Sequence, residues 1–471
     1  MYTKTVKLLK SQDLHSEIYR QEGIIMELIK NIILFYVEIH RAIFNFYIEN
    51  SRTILDYMHI FFNKLFYVVL YITIFFTLAY LVMGIILLIK KRRIKEKTVS
   101  KSKLPFVTIQ IPTYNELAAI NCAKKCLEFD YPKEKFMILI GDDSSGKEIS
   151  KQIDRFAKNH KQIKVTRRGT NKGFKPGNLN HMLKHTKGEY IVIFDSDFLP
   201  EKDFLKRIMA PFVHDKNVSA VQARWVTKNI KQNLVSLLGG TIPLLTHHLG
   251  LPFLNLINGN TFIAGSAEAI RKKDLIKLGG WKSGALTEDI EYSLRLTNTG
   301  KKIVYLDKLH CKCEAPFTLN DLGKQQMRWA YGVITASKMH FKDIWKNKKI
   351  TVNNKFNIFL LLSGYMVTFL FFTLTLLGFF SIITHRPESI NWLKFISETT
   401  FHIVVTSGFL ATLVITFFVA KKAREIPKMI FASFTIGLVV VSIVTLGIFK
   451  AIFNRPMKWY MLEKKGNEIQ V

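Results

Sequence analysis

The sequence has little cysteine and little acidic charge for its length. Only four cysteines occur in 471 residues. Metal ligation by the pairs Cys122/Cys126 and Cys311/Cys313 is conceivable, but no histidine spacing completes a zinc site. We therefore expect reduced, structural thiols in a cytosolic domain, because disulfides are rare in the cytosol. Asp and Glu number 36 against 68 Lys and Arg, a formal net charge of +32, which suits nucleic acid, anionic lipid or a negatively charged small substrate.

Two further absences narrow these classes. The sequence has no zinc-finger spacing, no RNA-binding signature and no basic-aromatic interleaving, so nucleic acid is not an expected partner. No cleavable signal peptide is evident, because a short charged region, an apolar core and a small-residue site do not occur in that order. Lipid headgroups and an anionic small substrate remain the expected partners of the basic charge.

Long apolar runs are present, and they lie near both ends of the chain. Residues 1–65 carry apolar residues at helical spacing interrupted by charge, which predicts amphipathic helices on a membrane surface or packed on each other. Phe66 to Ile89 is the first expected span, within a segment 66–90, since about 20 apolar residues cross a bilayer. Basic residues 90–95 follow at once, so the next domain is predicted to be cytoplasmic.

The membrane signal returns after the middle of the chain. Expected spans are Phe356 to Ile383, Phe401 to Ala420 and about Lys428 to Phe453, within 356–453. If each expected span crosses the membrane once, starting from the cytoplasm, the basic tail, 454–471, lies outside the cell, against the positive-inside rule. We therefore expect three or four carboxy-terminal spans, with a broken or re-entrant pair as one explanation, in a multi-pass protein of the plasma membrane.

Residues 104–345 have a different pattern, in which short apolar runs alternate with amphipathic helices. Strands are predicted at 107–111, 136–140 and 190–194, and helices at 116–128, 148–158 and 177–185. This rhythm predicts a mostly parallel α/β sheet of the nucleotide-binding type. The run at 190–194 is apolar throughout, as expected for a strand buried on both faces.

Acidic residues follow that buried strand. Asp195 and Asp197 are two residues apart at its carboxyl end, where open α/β sheets bind ligands. Both carboxylates can turn toward one hard cation shared with a substrate phosphate. The alternative for an isolated Asp-x-Asp is a solvated turn.

Five other motifs supply parts of the same kind of site. Residues 111–116 and 141–145 close two strands with polar side chains suited to a nucleoside, and the basic, glycine-rich loop 167–178 is suited to phosphate. The alternatives are an ordinary turn at 111–116, solvated acids at 141–145 and a solvated basic loop at 167–178. Thr287-Glu288-Asp289 offers a carboxylate as a general base, although an ordinary helix N-cap explains it equally well. Residues 325–329 offer an arginine for phosphate and an indole for a sugar ring.

Together these motifs resemble those of membrane-embedded family 2 glycosyltransferases, which include cellulose, hyaluronan and mannan synthases. The matching motifs are Ile-Pro-Thr-Tyr-Asn-Glu at 111–116, Asp-Asp-Ser at 142–144, Asp-Ser-Asp at 195–197, Thr-Glu-Asp at 287–289 and Gln-x-x-Arg-Trp at 325–329. The resemblance covers roughly residues 66–460. The stretches at 221–225 and 262–281 look most like the cellulose-synthase-like mannan and glucomannan synthases.

The resemblance implies a GT-A fold between transmembrane helices and an inverting transfer from UDP- or GDP-hexose. It implies metal ligation of Mg²⁺ or Mn²⁺ by Asp195 and Asp197, a general base at Asp289 beside Thr287 and Glu288, and stacking of Trp329 beneath the acceptor sugar. The implied contacts to the nucleotide sugar are Thr113, Tyr114, Glu116, Asp142, Asp143, Lys175, Asp195, Gln325 and Arg328.

The chain departs from that family in two places. No carboxy-terminal domain is expected after the last span, so control by a cyclic dinucleotide is not expected. The Phe-x-Val-Thr-x-Lys gating loop of cellulose synthases is not found after the spans. The way in which the enzyme closes over its nucleotide is therefore open.

Three functions remain as hypotheses. The first is a processive synthase that extends a β-linked glucan or mannan and passes the growing glycan through its own spans. The second is a membrane transferase that adds one or a few sugars to a lipid acceptor. The third is a transporter or anchor whose domain only binds nucleotide, which the near absence of charge inside the main spans disfavours. Protein partners and oligomeric state are not predicted.

Overall fold

The computed structural model describes residues 2–90, 98–385 and 391–463. Contacts within the chain divide it into two units, and each is described by itself. One unit comprises Met1–Val68 and Leu374–Phe395, and the other comprises Val69–Thr373 and Ile396–Val471.

The first long element is a single helix, α1, over Tyr2–Ile89. This differs from the several amphipathic helices expected over 1–65, and the reason is the absence of a helix breaker: the segment contains no proline, and glycine only at Gly23 and Gly84. Many large apolar side chains between Ile24 and Tyr47 are exposed. Within the first unit, Phe62 stacks on Phe380 with ring centroids 5.1 Å apart.

The second unit contains an eight-stranded mixed sheet in the order β3-β2-β1-β4-β7-β6-β8-β5. Its strands are β1 Val107–Thr113, β2 Phe136–Asp142, β3 Ile163–Thr166, β4 Tyr190–Ile193, β5 Leu199–Pro200, β6 Val218–Thr227, β7 Glu268–Arg271 and β8 Lys302–Cys313. The half formed by β3, β2, β1 and β4 is parallel, as predicted. The other half is not, because β7 runs antiparallel to both β4 and β6, and β5 antiparallel to β8.

Helices cover both faces of this sheet. They are α2 Ala118–Leu127, α3 Lys147–Lys158, α4 Phe174–His185, α5 Phe204–His214, α6 Leu234–Leu245, α7 Leu251–Leu256, α8 Lys272–Lys277, α9 Glu288–Asn298 and α10 Leu319–Lys346. A π-helical turn, Thr246–Gly250, joins α6 to α7. The three predicted strands and three predicted helices are confirmed as β1, β2, β4, α2, α3 and α4.

Strand β4 is buried on both faces, as its composition predicts. Tyr190 and Val192 belong to the core on one side of the sheet, whereas Ile191 and Ile193 belong to the core on the other. The alternation of side chains along a strand therefore places one apolar layer on each side. Asp195 and Asp197 follow directly where this apolar run ends.

Candidate membrane spans occur at both ends of the chain and once inside the α/β domain. Among the described residues, three helices qualify by length and composition, Thr53–Ile89, Leu234–Leu256 and Gly364–Thr384, and two bent pairs qualify together. The pairs are Trp392–Thr406 with Gly408–Val419, bent by 50°, and Ala423–Phe434 with Ile436–Ile452, bent by 57°. The apolar helix at 234–256 is additional to the spans predicted from sequence.

The remaining helices are numbered in chain order. They are α11 Val352–Leu362, α12 Gly364–Thr384, α13 Trp392–Thr406, α14 Gly408–Val419, α15 Ile426–Phe434 and α16 Ile436–Ile452. Helix α16 packs along α10 so closely that a Cβ on Gly447 would lie 2.7 Å from the Met327 carbonyl oxygen. The Lys338 ammonium of α10 also donates to the carbonyls of Ala451 and Ile452 at the end of α16.

Candidate active site

The carboxyl ends of three parallel strands meet at one edge of the sheet and open into a cavity of about 190 Å³. The register of β1 against β2 sets Thr113 opposite Asp142. We call this space the polar cavity. All but one of the predicted site residues line it: Thr113, Tyr114, Glu116, Asp143, Lys175, Asp195, Asp197, Thr287, Glu288, Asp289, Gln325, Arg328 and Trp329.

Asp142 is the exception. It is buried and does not line the polar cavity. Its carboxylate accepts hydrogen bonds from the Ser144 amide, the Ser150 hydroxyl and the Arg167 Nε, at 3.0, 2.7 and 2.8 Å. Burial alone would raise the pKa of Asp142, and these hydrogen bonds outweigh it and lower the pKa. Asp142 therefore holds the turn after β2 and the basic loop, rather than facing the cavity as expected.

Asp143 lines the cavity but is paired with the basic loop. Arg168 donates to it from Nε at 2.9 Å and from Nη2 at 2.6 Å. The same guanidinium donates to the carbonyls of Lys172 and Phe174, so it ties the loop to the end of β2. Burial raises the pKa of Asp143 despite this pairing. The two adjacent aspartates thus position the loop that leads into α4.

Lys175 connects the two acidic motifs of the site. Its ammonium contacts Asp195 Oδ1 at 2.8 Å and Glu288 Oε1 at 3.0 Å, and it donates to the Gly265 carbonyl at 2.6 Å. Burial would lower its pKa, but the negative charges of Asp195, Glu288 and Glu268 raise it above the ordinary value. Lys175, predicted only to contact the diphosphate, therefore also joins the end of β4 to the start of α9.

Asp195 and Asp197 form the candidate metal site. The Asp195 side chain is 32% exposed, and Asp197 accepts the Glu314 amide at 3.2 Å. Among the residues that the structure describes, no group of three His, Cys, Asp or Glu side chains could hold a metal alone. Two carboxylates nevertheless fit Mg²⁺ or Mn²⁺, because such ions commonly bind one or two carboxylates together with substrate phosphates and water.

Asp289 lies in the first turn of α9. The preceding Thr287 makes no capping hydrogen bond, so an ordinary N-cap does not explain this motif. Desolvation by burial, followed by the charge of Glu288, raises the pKa of Asp289 from 3.8 to about 7. A carboxyl with that pKa is suited to take a proton near neutral pH.

Two glycines allow close approaches to this acidic turn. Gly265 has φ +88°, and a Cβ there would lie 3.1 Å from Asp289 Oδ2. On α10, a Cβ on Gly332 would lie 2.4 Å from Thr287 Cγ2. A side chain at position 332 would therefore displace the turn that carries Asp289.

Helix α10 supplies the last predicted residues. Gln325 is buried, and Arg328 and Trp329 are partly exposed. Arg328 Nη1 donates to the Leu286 carbonyl at 3.2 Å, beside Thr287. The helix thus brings an arginine and an indole to the same cavity as Asp195 and Asp289.

The tail after α16 also lines the polar cavity, which sequence analysis missed. The indole of Trp459 stacks near Phe174, with ring centroids 6.3 Å apart, and meets Tyr114 edge-on at 5.8 Å. Tyr460 and Glu463 line the same space. The available sequence signal was an aromatic pair in a basic tail, Trp459 and Tyr460, which does not match the gating loop of cellulose synthases.

This arrangement defines a class of protein. The mixed sheet, the acidic strand end and the basic loop form a GT-A-like α/β glycosyltransferase fold. A solved mannosyltransferase from Pyrobaculum calidifontis, in complex with GDP-Man and Mn²⁺, matches with a TM-score of 0.53 and 17% identity, over 79% of this chain and 99% of that one. That similarity supports the fold.

Sequence comparison then points to a family. The family described as glycosyltransferase like family 2 matches residues 105–332 of this chain. Glucomannan 4-beta-mannosyltransferase 1 of Oryza sativa subsp. japonica is 31% identical over 292 residues, 58% of this chain and 55% of that protein. Glucomannan 4-beta-mannosyltransferase 2 of Arabidopsis thaliana is 29% identical over 266 residues, 54% of this chain and 49% of that protein.

The predicted resemblance to family 2 glycosyltransferases and to the glucomannan synthases is thereby confirmed. The matched region spans about half the length of these relatives.

Proposed function

We propose that the protein transfers a hexosyl group, foremost mannosyl, from a nucleotide-diphosphate sugar to an acceptor hydroxyl in the synthesis of a polysaccharide. One observation carries this proposal. Asp289, with its pKa raised to about 7, lines the same cavity as the paired carboxylates Asp195 and Asp197. Such a site offers a base for the acceptor and a place for a charge-neutralised diphosphate.

In the proposed reaction the Asp289 carboxylate takes the proton of the acceptor hydroxyl. The hydroxyl oxygen forms a bond to the anomeric carbon of the donor sugar, and the bond from that carbon to the β-phosphate oxygen breaks. The electron pair of the broken bond leaves with the nucleoside diphosphate. Attack from the face opposite the diphosphate inverts the anomeric configuration.

The residues around the diphosphate have separate proposed roles. Asp195 and Asp197 hold Mg²⁺ or Mn²⁺, which supplies positive charge to the leaving diphosphate when bound. Lys175 and Arg328 add fixed positive charge, and Gln325 adds a hydrogen bond. Glu288 and Thr287 position the acidic turn. Thr113, Tyr114, Glu116 and Asp143 line the nucleoside end, and Asp142 supports it from behind.

The donor and the membrane arrangement are part of the proposal. The relatives are glucomannan mannosyltransferases, which favours mannose, and the solved mannosyltransferase contains GDP-Man; UDP-hexose is the alternative donor. The domain at 104–345 lies on the cytoplasmic side of the plasma membrane, between the segment 66–90 and a bundle at 356–453. Trp329 stacks beneath the acceptor sugar. Processive extension with passage of the glycan through the bundle is one form of this proposal, and transfer of one or a few sugars to a lipid acceptor is the other.

The test uses the full-length protein in nanodiscs with a panel of GDP- and UDP-hexoses and either Mg²⁺ or Mn²⁺. We expect nucleotide release with one hexose class, foremost GDP-mannose, that stops on chelation with EDTA and resumes when metal is restored. Analysis of the radiolabelled product measures chain length and anomeric configuration. Absence of nucleotide release from every donor, in protein that binds GDP or UDP, would reject hexosyl transfer.

A further inference from the structure

A second cavity, of about 270 Å³, adjoins the polar cavity. Six residues line both spaces and form a shared wall: Trp225, Pro243, Ala264, Thr287, Asp289 and Trp329. The proposed base therefore faces two chambers. We call the second one the apolar cavity, because aliphatic and aromatic side chains make up most of its lining.

The polar atoms in this lining are largely occupied by the protein itself. Tyr80 donates its hydroxyl to the Leu360 carbonyl at 2.8 Å, and Tyr365 donates to Gln326 Oε1 at 3.0 Å. Trp225 Nε1 donates to the Ser266 carbonyl at 2.9 Å. Within the described lining, His247 Nδ1 is the one buried side-chain nitrogen or oxygen without a hydrogen-bond partner.

This chemistry disfavours a sugar chain inside the apolar cavity. Each hexose carries several hydroxyl groups, and moving a hydroxyl out of water without a new hydrogen-bond partner is unfavourable. Moving a hydrocarbon chain from water into such a cavity is favourable. A mostly apolar lining with a few polar groups, here the His247 nitrogen, the Asp289 carboxylate and threonine hydroxyls, is the usual composition of a site for a mainly apolar ligand.

The elements that build the cavity point to the source of such a ligand. Tyr80 lies on the candidate span Thr53–Ile89, Leu249 on Leu234–Leu256, and Thr368 on Gly364–Thr384. Phe409 lies on one of the bent pairs. Four candidate membrane segments therefore contribute to the lining of the apolar cavity.

We propose that the apolar cavity holds the hydrocarbon chain of a membrane lipid-linked saccharide, whose sugar hydroxyl is presented to Asp289. The inference rests on the proposed hexosyl transfer and names the acceptor class for it. Because Asp289 is itself part of the cavity wall, the saccharide between the lipid and the reacting hydroxyl is short. The bonds made and broken are those of the proposed reaction, with the lipid-linked sugar hydroxyl as nucleophile.

The experiment measures transfer to a series of alkyl β-D-mannosides. Full-length protein in phospholipid nanodiscs receives the active donor and its metal, with methyl, hexyl or octyl mannoside below the micelle concentration, or free mannobiose. We expect kcat/KM to rise at least tenfold from methyl to octyl mannoside. Equal use of methyl and octyl mannoside, or elongation of mannobiose as efficient as that of octyl mannoside, would overturn the inference and favour a glycan in this cavity.

Variants separate binding in the cavity from simple partition into the bilayer. Thr368→Trp fills the cavity, and we expect it to remove the preference for octyl over methyl mannoside. The matched control is Leu376→Trp on the same helix, at a side chain that is 41% exposed and lines neither cavity. We expect the control to keep the wild-type preference, and an equal loss in both variants would contradict the proposal.

A second variant protects the test from misfolding. Phe409→Ala enlarges the cavity, and we expect the preferred chain to lengthen from octyl to dodecyl, whereas a folding defect lowers the use of every acceptor alike. An unchanged preference in this variant would count against the cavity as the site. Nucleotide release without added acceptor is measured in every variant. If the wild type releases no nucleotide from any donor, the proposed function fails. If the wild type releases nucleotide but uses all alkyl mannosides equally, only this inference fails.

Discussion

The two cavities on either side of Asp289 are built from different materials. The polar cavity is formed at the ends of β1, β2 and β4, where local motifs provide carboxylates, amides and a lysine. The apolar cavity is formed by helices that lie far apart in the chain, from Tyr80 to Phe409. One acidic turn therefore lines two different cavities, and the lining of each cavity can be changed by substitutions that leave the other cavity alone.

Replacing the base should have the largest effect, because Asp289 belongs to both cavities. We expect Asp289→Asn to lower kcat by about 10³-fold, the middle of the range for general acid-base catalysis. Binding of the nucleotide sugar, followed by calorimetry, should change little because the change is nearly isosteric. Turnover close to that of the wild type would remove Asp289 as the base and with it the division of roles between the cavities.

The wall itself depends on Gly332. We expect Gly332→Ala to destabilise the second unit by about 1 to 3 kcal/mol, as overpacking does in other cores, because its Cβ would lie 2.4 Å from Thr287 Cγ2. Thermal unfolding and kcat measure this effect together.

Gly378→Ala is the matched control for that prediction. It is also a helical glycine, but a Cβ there would meet its nearest atom at 3.6 Å, an ordinary contact. We expect it to be neutral or slightly stabilising, since alanine favours helix. Equal effects of the two changes would show that tight packing against Thr287 is unimportant.

The pH dependence of transfer tests the electrostatics of the wall. Asp289 must lose its proton to act as a base, so with a pKa of about 7 we expect kcat/KM at pH 6 to be about tenfold below its plateau above pH 8. Because its pKa is raised in the folded state, Asp289 binds its proton more tightly in the folded protein than in the unfolded chain. The contribution of Asp289 to the free energy of unfolding is therefore present below about pH 4 and is lost as the pH rises through about 7.

The readout is a profile of initial rates between pH 5.5 and 9, with donor binding measured at each pH. A flat profile over this range, with donor binding also unchanged, would contradict the raised pKa of the base.

The tail tests the polar cavity alone. We expect Trp459→Ala to raise the KM for the nucleotide sugar about fivefold, because stacking of a base or ring on an aromatic face contributes about 1 kcal/mol or more. The KM for the acceptor should not change. Trp345→Ala, at an indole that is 53% exposed on α10, is the control. A change in acceptor KM instead would mean that the tail serves the other cavity.

Much of the polar cavity could be predicted from sequence, for a physical reason. Parallel strands align their carboxyl ends, so residues at the ends of β1, β2 and β4 must meet even though Thr113, Asp143 and Asp195 are 30 to 82 positions apart. Thr113, Asp143 and Asp195 are brought together in this way. Asp142 differs because neighbouring strand-end residues point to different sides, and its side chain turned toward Arg167.

The apolar cavity and the tail could not be predicted in the same way. Nothing in the pattern of Leu234–Leu256 distinguishes a span from a helix buried beside the domain, because both are apolar on most faces. The contact between Trp459 and Tyr114 joins residues at opposite ends of the unit and has no local signature. Strand β7 was likewise not predicted, because its four residues, Glu-Ala-Ile-Arg, begin and end with a charged residue and form no apolar run.

The close packing of α16 on α10 has a mechanical consequence. Arg328 and Trp329 belong to α10, Trp459 follows α16, and the Lys338 ammonium fastens the two helices end to side. Asp195 and Asp197 belong instead to the sheet. The site is thus shared between the sheet and the pair of helices α10 and α16, and a tilt of α16 would move the arginine and indole of α10 together with the tail.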